Sequence, residues 1–218
     1  LHLIGDRGGD ERRPARAEES LERQAARMLL VGTRGETLEK GGDLEKLVCE
    51  LKVGGLLLFD KDVASGGGPR NVRSMSQLSR LTRDLQALAR RCGDAPLLIA
   101  ADVEGGVVNH LSALAELAQT RSHLALGRGT PRGTYRQARR MGEVMQEAGV
   151  NWNLAPVVDL NLNPENPAIG LWGRSFSDDP GKVARHARAF IEGLDANGVL
   201  NCIKHFPGHG SSAGDSHK

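Results

Sequence analysis

The sequence predicts an α/β fold in which helices alternate with the strands of a parallel sheet. Short runs that are apolar throughout alternate with longer segments whose apolar residues recur every three or four positions. This alternation is typical of strand–helix–strand units. Because the strand candidates are not alternately polar, we expect both of their faces to be buried. Polar and charged residues follow their carboxyl ends, where functional groups gather in parallel α/β folds.

Five strand candidates and the helices around them follow one another along the chain. The apolar runs lie at 28–32, 53–59, 96–102, 153–159 and 199–206. The helical patterns lie at 21–26, 44–51, 71–91, 132–148 and 180–197. Pro180 directly after two aspartates is a signal for a helix start. Gly149 is predicted to end the helix that precedes it.

The pattern favours a (β/α)8 barrel of the TIM type over an open doubly wound sheet. No GxGxxG motif follows the first strand and no GxxxxGK[ST] motif occurs, which disfavours the nucleotide-binding folds. A complete barrel has eight strands and typically about 250 residues. This chain has 218 residues and five strand candidates. We therefore expect an incomplete barrel, with about five of the eight strands.

Composition narrows the classes of partner. The sequence has 29 Lys and Arg against 27 Asp and Glu, and only 3% aromatic residues. Interspersed charge and few aromatic rings argue against a nucleic-acid partner. No apolar run approaches the roughly 18 residues that span a membrane, so no membrane partner is expected. Residues 1–20 are predicted to be a flexible leader, followed by one domain at 21–218.

Cys49, Cys92 and Cys202 are predicted to be buried free thiols. They are odd in number, far apart in the sequence and placed in apolar elements. This pattern is typical of a reducing compartment rather than of a disulfide framework. The cysteines therefore favour a cytoplasmic location, and an exported form is the alternative.

The segment 204–218 (KHFPGHGSSAGDSHK) concentrates the ionisable groups, and it is too rich in Gly, Pro and Ser to be a helix. Asp215 and His217 are one residue apart, so in an extended loop both side chains can point the same way. A carboxylate beside an imidazole raises its pKa and fixes its tautomer, which gives a general acid/base that works near neutral pH. The alternative is a frayed tail with a chance Asp-x-His spacing.

Lys204 and His205 stand where the fifth strand ends, followed by a rigid Phe-Pro-Gly run. Lys204 could donate hydrogen bonds to substrate hydroxyls or to an anionic group, or it could cap strand-end carbonyls. The spacing of His205 and His209 would suit a metal ion on a helix. The Pro and Gly residues around them exclude that helix, so no metal site is predicted.

Asp102 and Glu104 frame the end of the third strand, beside a pair of glycines that permits close approach of a ligand. Asp102 is predicted to accept hydrogen bonds from substrate hydroxyls. Glu104 is predicted to satisfy backbone donors in the turn. Asp159 either lines the pocket floor or fixes a strand-end loop. Arg174 is a loop arginine that can clamp a carboxylate or a carbonyl; the alternative is an ion pair with an aspartate at 178–179.

In this order the segments resemble the family 3 glycoside hydrolases, specifically their β-N-acetylhexosaminidase branch. The resemblance runs from about residue 21 to residue 218. It is carried by ADVEGG at 101–106, NLAPVVDLN at 153–161, NPAIG…RSF at 166–176 and KHFPGHG…DSH at 204–217. The last motif is the specific one, since the β-glucosidase type lacks this His-bearing loop and takes its acid/base from another domain. The fold that the resemblance implies is a (β/α)8 barrel.

The resemblance also implies roles for individual residues. His217 corresponds to the general acid/base, and Asp215 to the carboxylate that orients it. Four residues match the family positions that grip N-acetylglucosamine in the −1 site: Asp102, Arg174, Lys204 and His205. The carboxylate nucleophile of the family follows a later strand, and no residue of this sequence corresponds to it. Val107 and His110 stand where relatives commonly have arginines, which we expect to weaken ground-state binding or to alter sugar preference.

The function that the resemblance implies is removal of terminal β-linked N-acetylglucosamine from peptidoglycan fragments with retention of configuration. No cofactor is expected. Two alternatives remain open. One is a truncated or degenerate barrel that binds amino sugars without hydrolysis, and the other is a hydrolase of the β-glucosidase type.

Overall fold

A computed structural model describes residues 19–92 and 95–215 of the chain, and its centre is a five-stranded parallel sheet. The strands are β1 (Leu30–Gly32), β2 (Gly55–Leu57), β5 (Leu98–Ala101), β8 (Trp152–Asn153) and β9 (Leu200–Asn201). Their order in the sheet is the order in the chain, and each neighbouring pair is parallel. The α/β class is thus confirmed, and five parallel strands in sequential order agree with an incomplete barrel.

Two short hairpins accompany the sheet on the carboxyl side of its strands. β3 (Lys61–Asp62) pairs with β4 (Gly68–Pro69), and β6 (Val103–Gly105) pairs with β7 (Val108–Asn109), both antiparallel. The sequence analysis predicted neither hairpin, because strands of two or three residues carry no readable periodicity. The second hairpin directly follows the strand that delivers Asp102, and so it shapes the site described below.

The helices lie where the periodicity predicts them, with one addition. They are α1 (Leu21–Arg27), α2 (Asp43–Glu45), α3 (Met75–Arg91), α4 (His123–Gly127), α5 (Pro131–Ala148) and α6 (Pro180–Asp195). α2 continues as a π-helical turn over Lys46–Leu51, and a 3-10 turn covers Val63–Ser65. The short α4 is the helix that the sequence analysis did not predict.

The helix boundaries follow from local chemistry. The Asp179 side chain accepts a hydrogen bond from the Lys182 backbone N–H, and Pro180 occupies the first helical turn of α6, where its missing N–H costs nothing. Gly149 has φ = 74° at the end of α5, a left-handed conformation that glycine adopts without steric penalty. Both predicted helix signals are thereby confirmed.

The core lies between the sheet and its helices. In α3 the residues Leu78, Leu81, Leu85 and Leu88 form one fully buried stripe, which is the face that the sequence predicts. Replacing one such leucine by alanine typically costs about 2–5 kcal/mol.

The fourth and fifth strands are shorter than predicted. Regular pairing stops after Asn153, and residues 154–158 keep only single backbone hydrogen bonds to the segments on either side. Pro156 has no N–H to donate, which breaks the ladder. An isolated parallel bridge between Val157 and Lys204 resumes the contact further along. This irregular stretch places Lys204 and His205 at the edge of the sheet where the carboxyl ends of the strands lie.

The prediction of three buried free thiols was wrong. Cys49 and Cys92 form a disulfide with their Cα atoms 5.3 Å apart, and Cys202 is free and exposed. The π-helical turn packs against the carboxyl-terminal end of α3, which brings together two cysteines separated by 43 residues. Distance along the sequence could not reveal this contact. The argument from free thiols to a cytoplasmic location therefore loses its basis.

Across the described parts of the chain, no helix is long and apolar enough to cross a membrane. The predicted leader at 1–20 lies outside the described residues except for its last two positions, and His217 lies outside them as well.

Candidate active site at the carboxyl ends of the strands

The structure brings all four predicted sugar-binding residues into one cluster. Asp102 directly follows β5, Lys204 and His205 follow β9, and Arg174 lies in the loop before α6. The Nζ atom of Lys204 lies 2.5 Å from Oδ1 of Asp102. The carboxyl ends of neighbouring parallel strands meet at one edge of the sheet, which is why residues so distant in sequence come into contact.

Glu104 is the centre of this cluster. Its carboxylate accepts two parallel hydrogen bonds from Arg174, from Nε and Nη2, each 2.8 Å long. Its Oε1 also lies 2.6 Å from Nζ of Lys204, and its side chain has no exposed surface. The prediction that Glu104 satisfies backbone donors of the turn was wrong. In the β6 hairpin its side chain points into the protein, where only a carboxylate paired with cations is stable.

The charge of Glu104 is maintained by its partners. Burial alone would raise the pKa of Glu104, but the hydrogen bonds from Arg174 and the positive charges of Lys204 and Arg174 outweigh burial and lower the pKa below its ordinary value. Burial likewise disfavours the charged Arg174, and its bonds to Glu104 reverse that effect and raise the pKa of Arg174. Both groups are therefore ionised at neutral pH.

Arg174 is held by more than Glu104. Its Nη1 donates to the Ala168 carbonyl at 2.8 Å, and its Nη2 lies 3.5 Å from Nε2 of His205. The alternative partners of the sequence analysis serve elsewhere, since Asp179 caps α6 and Asp178 accepts from the hydroxyl of Ser177. Arg174 therefore belongs to the cluster and not to the start of α6.

His205 is oriented by Asp159. The Nδ1 atom of His205 lies 2.6 Å from Oδ2 of Asp159, whose Oδ1 accepts the backbone N–H of His209 at 2.6 Å. Burial would raise the pKa of Asp159, but the bonds from His205 and His209 lower it. Because the carboxylate accepts from Nδ1–H, Nε2 of a neutral His205 faces the Arg174 donor as an acceptor. Asp159 thus fixes the loop and orients a site residue at once.

The backbone fixes Lys204 as firmly as its side-chain partners do. Its N–H donates to the Pro156 carbonyl at 3.1 Å, and its carbonyl accepts from Val158 N–H at 2.7 Å. Gly105 has φ = 96° in the neighbouring hairpin, and a Cβ there would overlap the Arg121 carbonyl. Glycine is therefore required for the tight turn that presents Glu104.

The loop beyond Lys204 is docked on the protein as far as Ser212. The Nδ2 atom of Asn166 donates to the carbonyls of His209 and Ser212, at 2.8 and 2.7 Å. Gly210 packs so closely on the Leu160 carbonyl that a Cβ would overlap it. These contacts argue against a frayed tail over this part of the loop. Asp215 is half-buried at the end of the described residues, and the role of His217 stays a prediction.

A second carboxylate–imidazole pair lies beside the cluster and was not singled out as a pair by the sequence analysis. Nδ1 of His110 lies 3.0 Å from Oδ1 of Asp60, and the Ser112 hydroxyl donates to Oδ2 of Asp60 at 2.9 Å. The His110 backbone N–H donates to the Asp102 carbonyl at 2.9 Å. Asp60 is a charged residue at the end of β2, a position that the sequence shows. Its partner His110 follows the β6–β7 hairpin, which the sequence analysis did not predict.

Two further features lie beside the cluster. A cavity of about 380 Å³ lies along 158–162 and 203–211 on the β9 side, where Ile203 and Phe206 are exposed. Lys204, His205 and Asp159 line it, whereas Asp102, Glu104 and Arg174 do not, so the cavity adjoins the cluster on one side. The rings of His205 and His209 lie 6.2 Å apart, and the described residues contain no group of three or more metal-ligating side chains.

The parallel α/β layers and the cluster of carboxylates, cations and imidazole at the strand ends define the class of the protein. It is a parallel α/β protein of the barrel type with a polar site at the carboxyl ends of its strands. The N-terminal domain of glycosyl hydrolase family 3 matches residues 20–218, and the chain belongs to this family.

Named relatives place the chain in the branch that the sequence resembles. Beta-hexosaminidase A from Pseudoalteromonas piscicida is 34% identical over 180 residues, which cover 80% of this chain and 28% of that protein. The family 3 β-N-acetylglucosaminidase from Paenibacillus sp. str. FPU-7 superposes with a TM-score of 0.81 at 33% identity, over 92% of this chain and 35% of that one.

A third relative was solved with a sugar analogue. NagZ from Neisseria gonorrhoeae, in complex with N-trifluoroacetyl-D-glucosamine, superposes with a TM-score of 0.71 at 29% identity. The superposition covers 87% of this chain and 52% of that one. The chain thus spans between about a quarter and about half of the length of these relatives.

Proposed function

We propose that this chain forms the sugar-binding and acid/base part of a retaining β-N-acetylhexosaminidase that removes terminal N-acetylglucosamine from peptidoglycan fragments. The observation that carries the proposal is the Lys204–Glu104–Arg174–Asp102 cluster, which has the composition and position of a hydroxyl-binding site. Two of the named relatives are a beta-hexosaminidase and a β-N-acetylglucosaminidase, and the third was solved in complex with N-trifluoroacetyl-D-glucosamine.

The charge balance of the cluster suits a neutral, hydroxyl-rich ligand. Two carboxylates, Asp102 and Glu104, face two cations, Lys204 and Arg174. The ions compensate one another, so a charged substrate group is not required for balance. An ammonium has three N–H donors, and Asp102 and Glu104 engage two of those of Lys204. The third is available for a sugar hydroxyl or for the carbonyl of an N-acetyl group.

In the proposed mechanism these residues hold the sugar while other groups do the chemistry. His217 donates a proton to the glycosidic oxygen as the bond between that oxygen and the anomeric carbon breaks, and a carboxylate attacks the anomeric carbon from the opposite face. His217 then takes a proton from water, whose oxygen displaces the carboxylate and restores the configuration. Asp215 orients the imidazole in both steps. No residue of this sequence is assigned as the carboxylate nucleophile.

Sugar binding is the measurement that tests this proposal. Isothermal titration of residues 1–218 with N-acetylglucosamine, glucose and N-acetylmuramic acid separates the candidate ligands. We expect saturable binding of N-acetylglucosamine, with glucose bound more weakly because it lacks the N-acetyl group. Lys204→Met should abolish the heat of binding, whereas Lys61→Met, at an exposed lysine of β3, should leave it unchanged. Preference for glucose would favour the β-glucosidase alternative.

A further inference from the structure

Directly beneath the cluster lies a histidine that has no place in the mechanism above. His123 is the first residue of α4 and is fully buried. Its ring stacks on Phe176, with centroids 4.1 Å apart and an interplanar angle of 27°, and it leans against Phe190 at 5.2 Å. Burying an imidazole costs free energy unless its nitrogen atoms form hydrogen bonds. The contacts of this ring therefore indicate what it does.

The hydrogen bond of His123 fixes its protonation state. Its Nε2 accepts the backbone N–H of Val157 at 3.2 Å. A backbone N–H can only donate, so Nε2 carries no proton and the neutral ring carries its proton on Nδ1. Burial, and to a lesser degree the charges of Lys204 and Arg174, lower the pKa of His123 to about 4, although Glu104 opposes them. The ring is therefore a neutral acceptor at physiological pH.

Val157 connects this ring to the sugar-binding cluster. It forms the isolated parallel bridge with Lys204, and both residues lie outside the regular strands. On its other side, the ring of His123 packs on Phe176, which follows Arg174 closely in the same loop. One side chain thus contacts the two irregular segments that carry the two cations of the cluster.

We infer that His123 is a positioning residue that holds Lys204 and Arg174 against Glu104 through the Val157 N–H and the ring of Phe176. It acts only as the neutral, Nδ1-protonated tautomer, because any other form leaves the Val157 N–H without its acceptor. The inference rests on the proposed function for its sugar-binding readout, but its structural readouts do not depend on that function.

Two substitutions separate the acceptor from the packing. His123→Phe keeps an aromatic ring against Phe176 and removes the acceptor, whereas His123→Gln can return an acceptor oxygen near the position of Nε2. The chain offers a matched control in His186, which is also buried. Its ring stacks on Phe176 at 5.5 Å, and its Nδ1 pairs with the Thr134 hydroxyl at 2.7 Å. His186→Phe therefore removes a similar hydrogen bond in the same aromatic stack.

Nuclear magnetic resonance of residues 1–218 gives the readouts that are independent of sugar. The ¹⁵N signals of His123 should show a protonated Nδ1 and an unprotonated Nε2. In His123→Phe the Val157 amide should exchange faster with solvent, and the Lys204 and Arg174 amide signals should shift. In His186→Phe these three signals should stay in place, even if both variants lose similar thermal stability.

The sugar readout completes the test. His123→Phe should weaken the Kd for N-acetylglucosamine by about tenfold or more, the expected scale for an unpaired buried donor. His123→Gln should recover part of this loss, and His186→Phe should bind like the wild type. Equal affinities of His123→Phe and the wild type, or an Nε2-protonated ring, would overturn the inference. If the wild type binds no N-acetylglucosamine, the proposed function fails, and the amide shifts still decide the role of His123.

Discussion

The ammonium of Lys204 lies 2.6 Å from the buried carboxylate of Glu104, so the ends of β5 and β9 are joined by an ion pair inside the protein. Arg174 completes the pairing from a third segment. A buried charge is stable only while its partners are present.

Removing the charge of Glu104 should strongly destabilise the protein. Glu104→Gln leaves Lys204 and Arg174 without a buried counter-ion, and breaking such a network typically costs about 3–5 kcal/mol. Chemical unfolding followed by circular dichroism measures the loss. Glu116→Gln, at an exposed glutamate, is the matched control and should change stability by less than about 0.5 kcal/mol. Equal stability of the two variants would contradict the central place of Glu104.

Stability should decline in mild acid because of the same carboxylate. The pKa of Glu104 is lower in the folded protein than its ordinary value, so the unfolded chain binds more protons in the window between the two values. The stabilisation is therefore complete above the ordinary glutamate pKa of about 4.3 and is lost as pH falls through the folded pKa. Unfolding free energies measured from pH 7 downwards should show this decline, and Glu104→Gln should flatten it. A parallel pH dependence in both proteins would refute the assignment.

The disulfide predicts a definite thiol count. With Cys49 and Cys92 bonded and Cys202 exposed, Ellman's reagent should titrate one thiol per chain without reductant and three after reduction and unfolding. Cys49→Ser with Cys92→Ser should lower the free energy of unfolding by about 2–4 kcal/mol, while Cys202→Ser should leave it unchanged. Three reactive thiols in the protein unfolded without reductant would show that the bond does not form.

Asn166 should control the order of the loop that leads to Asp215. Its Oδ1 accepts from the Ala168 and Ile169 N–H groups while its Nδ2 donates to the carbonyls of His209 and Ser212. Asn166→Ala leaves the buried Ala168 and Ile169 N–H groups without this acceptor, at a cost of about 1–3 kcal/mol for each group, and it removes one donor from each of the two loop carbonyls. Amide hydrogen exchange should be faster across 209–212 than in the wild type. The rate of N-acetylglucosaminide hydrolysis by the full-length protein should fall. The comparison is Asn201→Ala, at a half-buried asparagine whose side chain donates to Asp195 away from the loop, and identical exchange in both variants would contradict this role.

In a full-length protein that also carries the carboxylate nucleophile, His217→Ala should lower the kcat for a chromogenic N-acetylglucosaminide by about 10²-fold or more, the usual contribution of a general acid/base. The loss in kcat should be smaller for a substrate whose leaving group departs without protonation. Such a substrate does not need the proton that His217 donates to the glycosidic oxygen. Unchanged turnover would remove His217 from the mechanism.

Much of the site could be predicted from sequence because parallel strands align their carboxyl ends. Asp102 and Lys204 each follow an apolar run, so their convergence needed no knowledge of the loops. Arg174 and His205 were tied to the same place by their motifs. Glu104 was placed correctly along the chain but given the wrong partners, because the short β6–β7 hairpin sets the direction of its side chain.

The features that escaped prediction depend on contacts between distant segments. The Cys49–Cys92 bond requires the packing of a π-helical turn on the end of α3, and no local pattern encodes that packing. His123 lies in a five-residue helix and looks like an ordinary polar residue in the sequence. Its importance follows only from the Val157 N–H that it accepts and the ring on which it stacks.

A crystal structure of the chain with N-acetylglucosamine bound tests the central claim most directly. The account predicts sugar hydroxyls within hydrogen-bonding distance of Asp102 and of Nζ of Lys204, with the N-acetyl group near Arg174 or His205. A sugar bound anywhere that leaves both Asp102 and Nζ of Lys204 without a contact would contradict it.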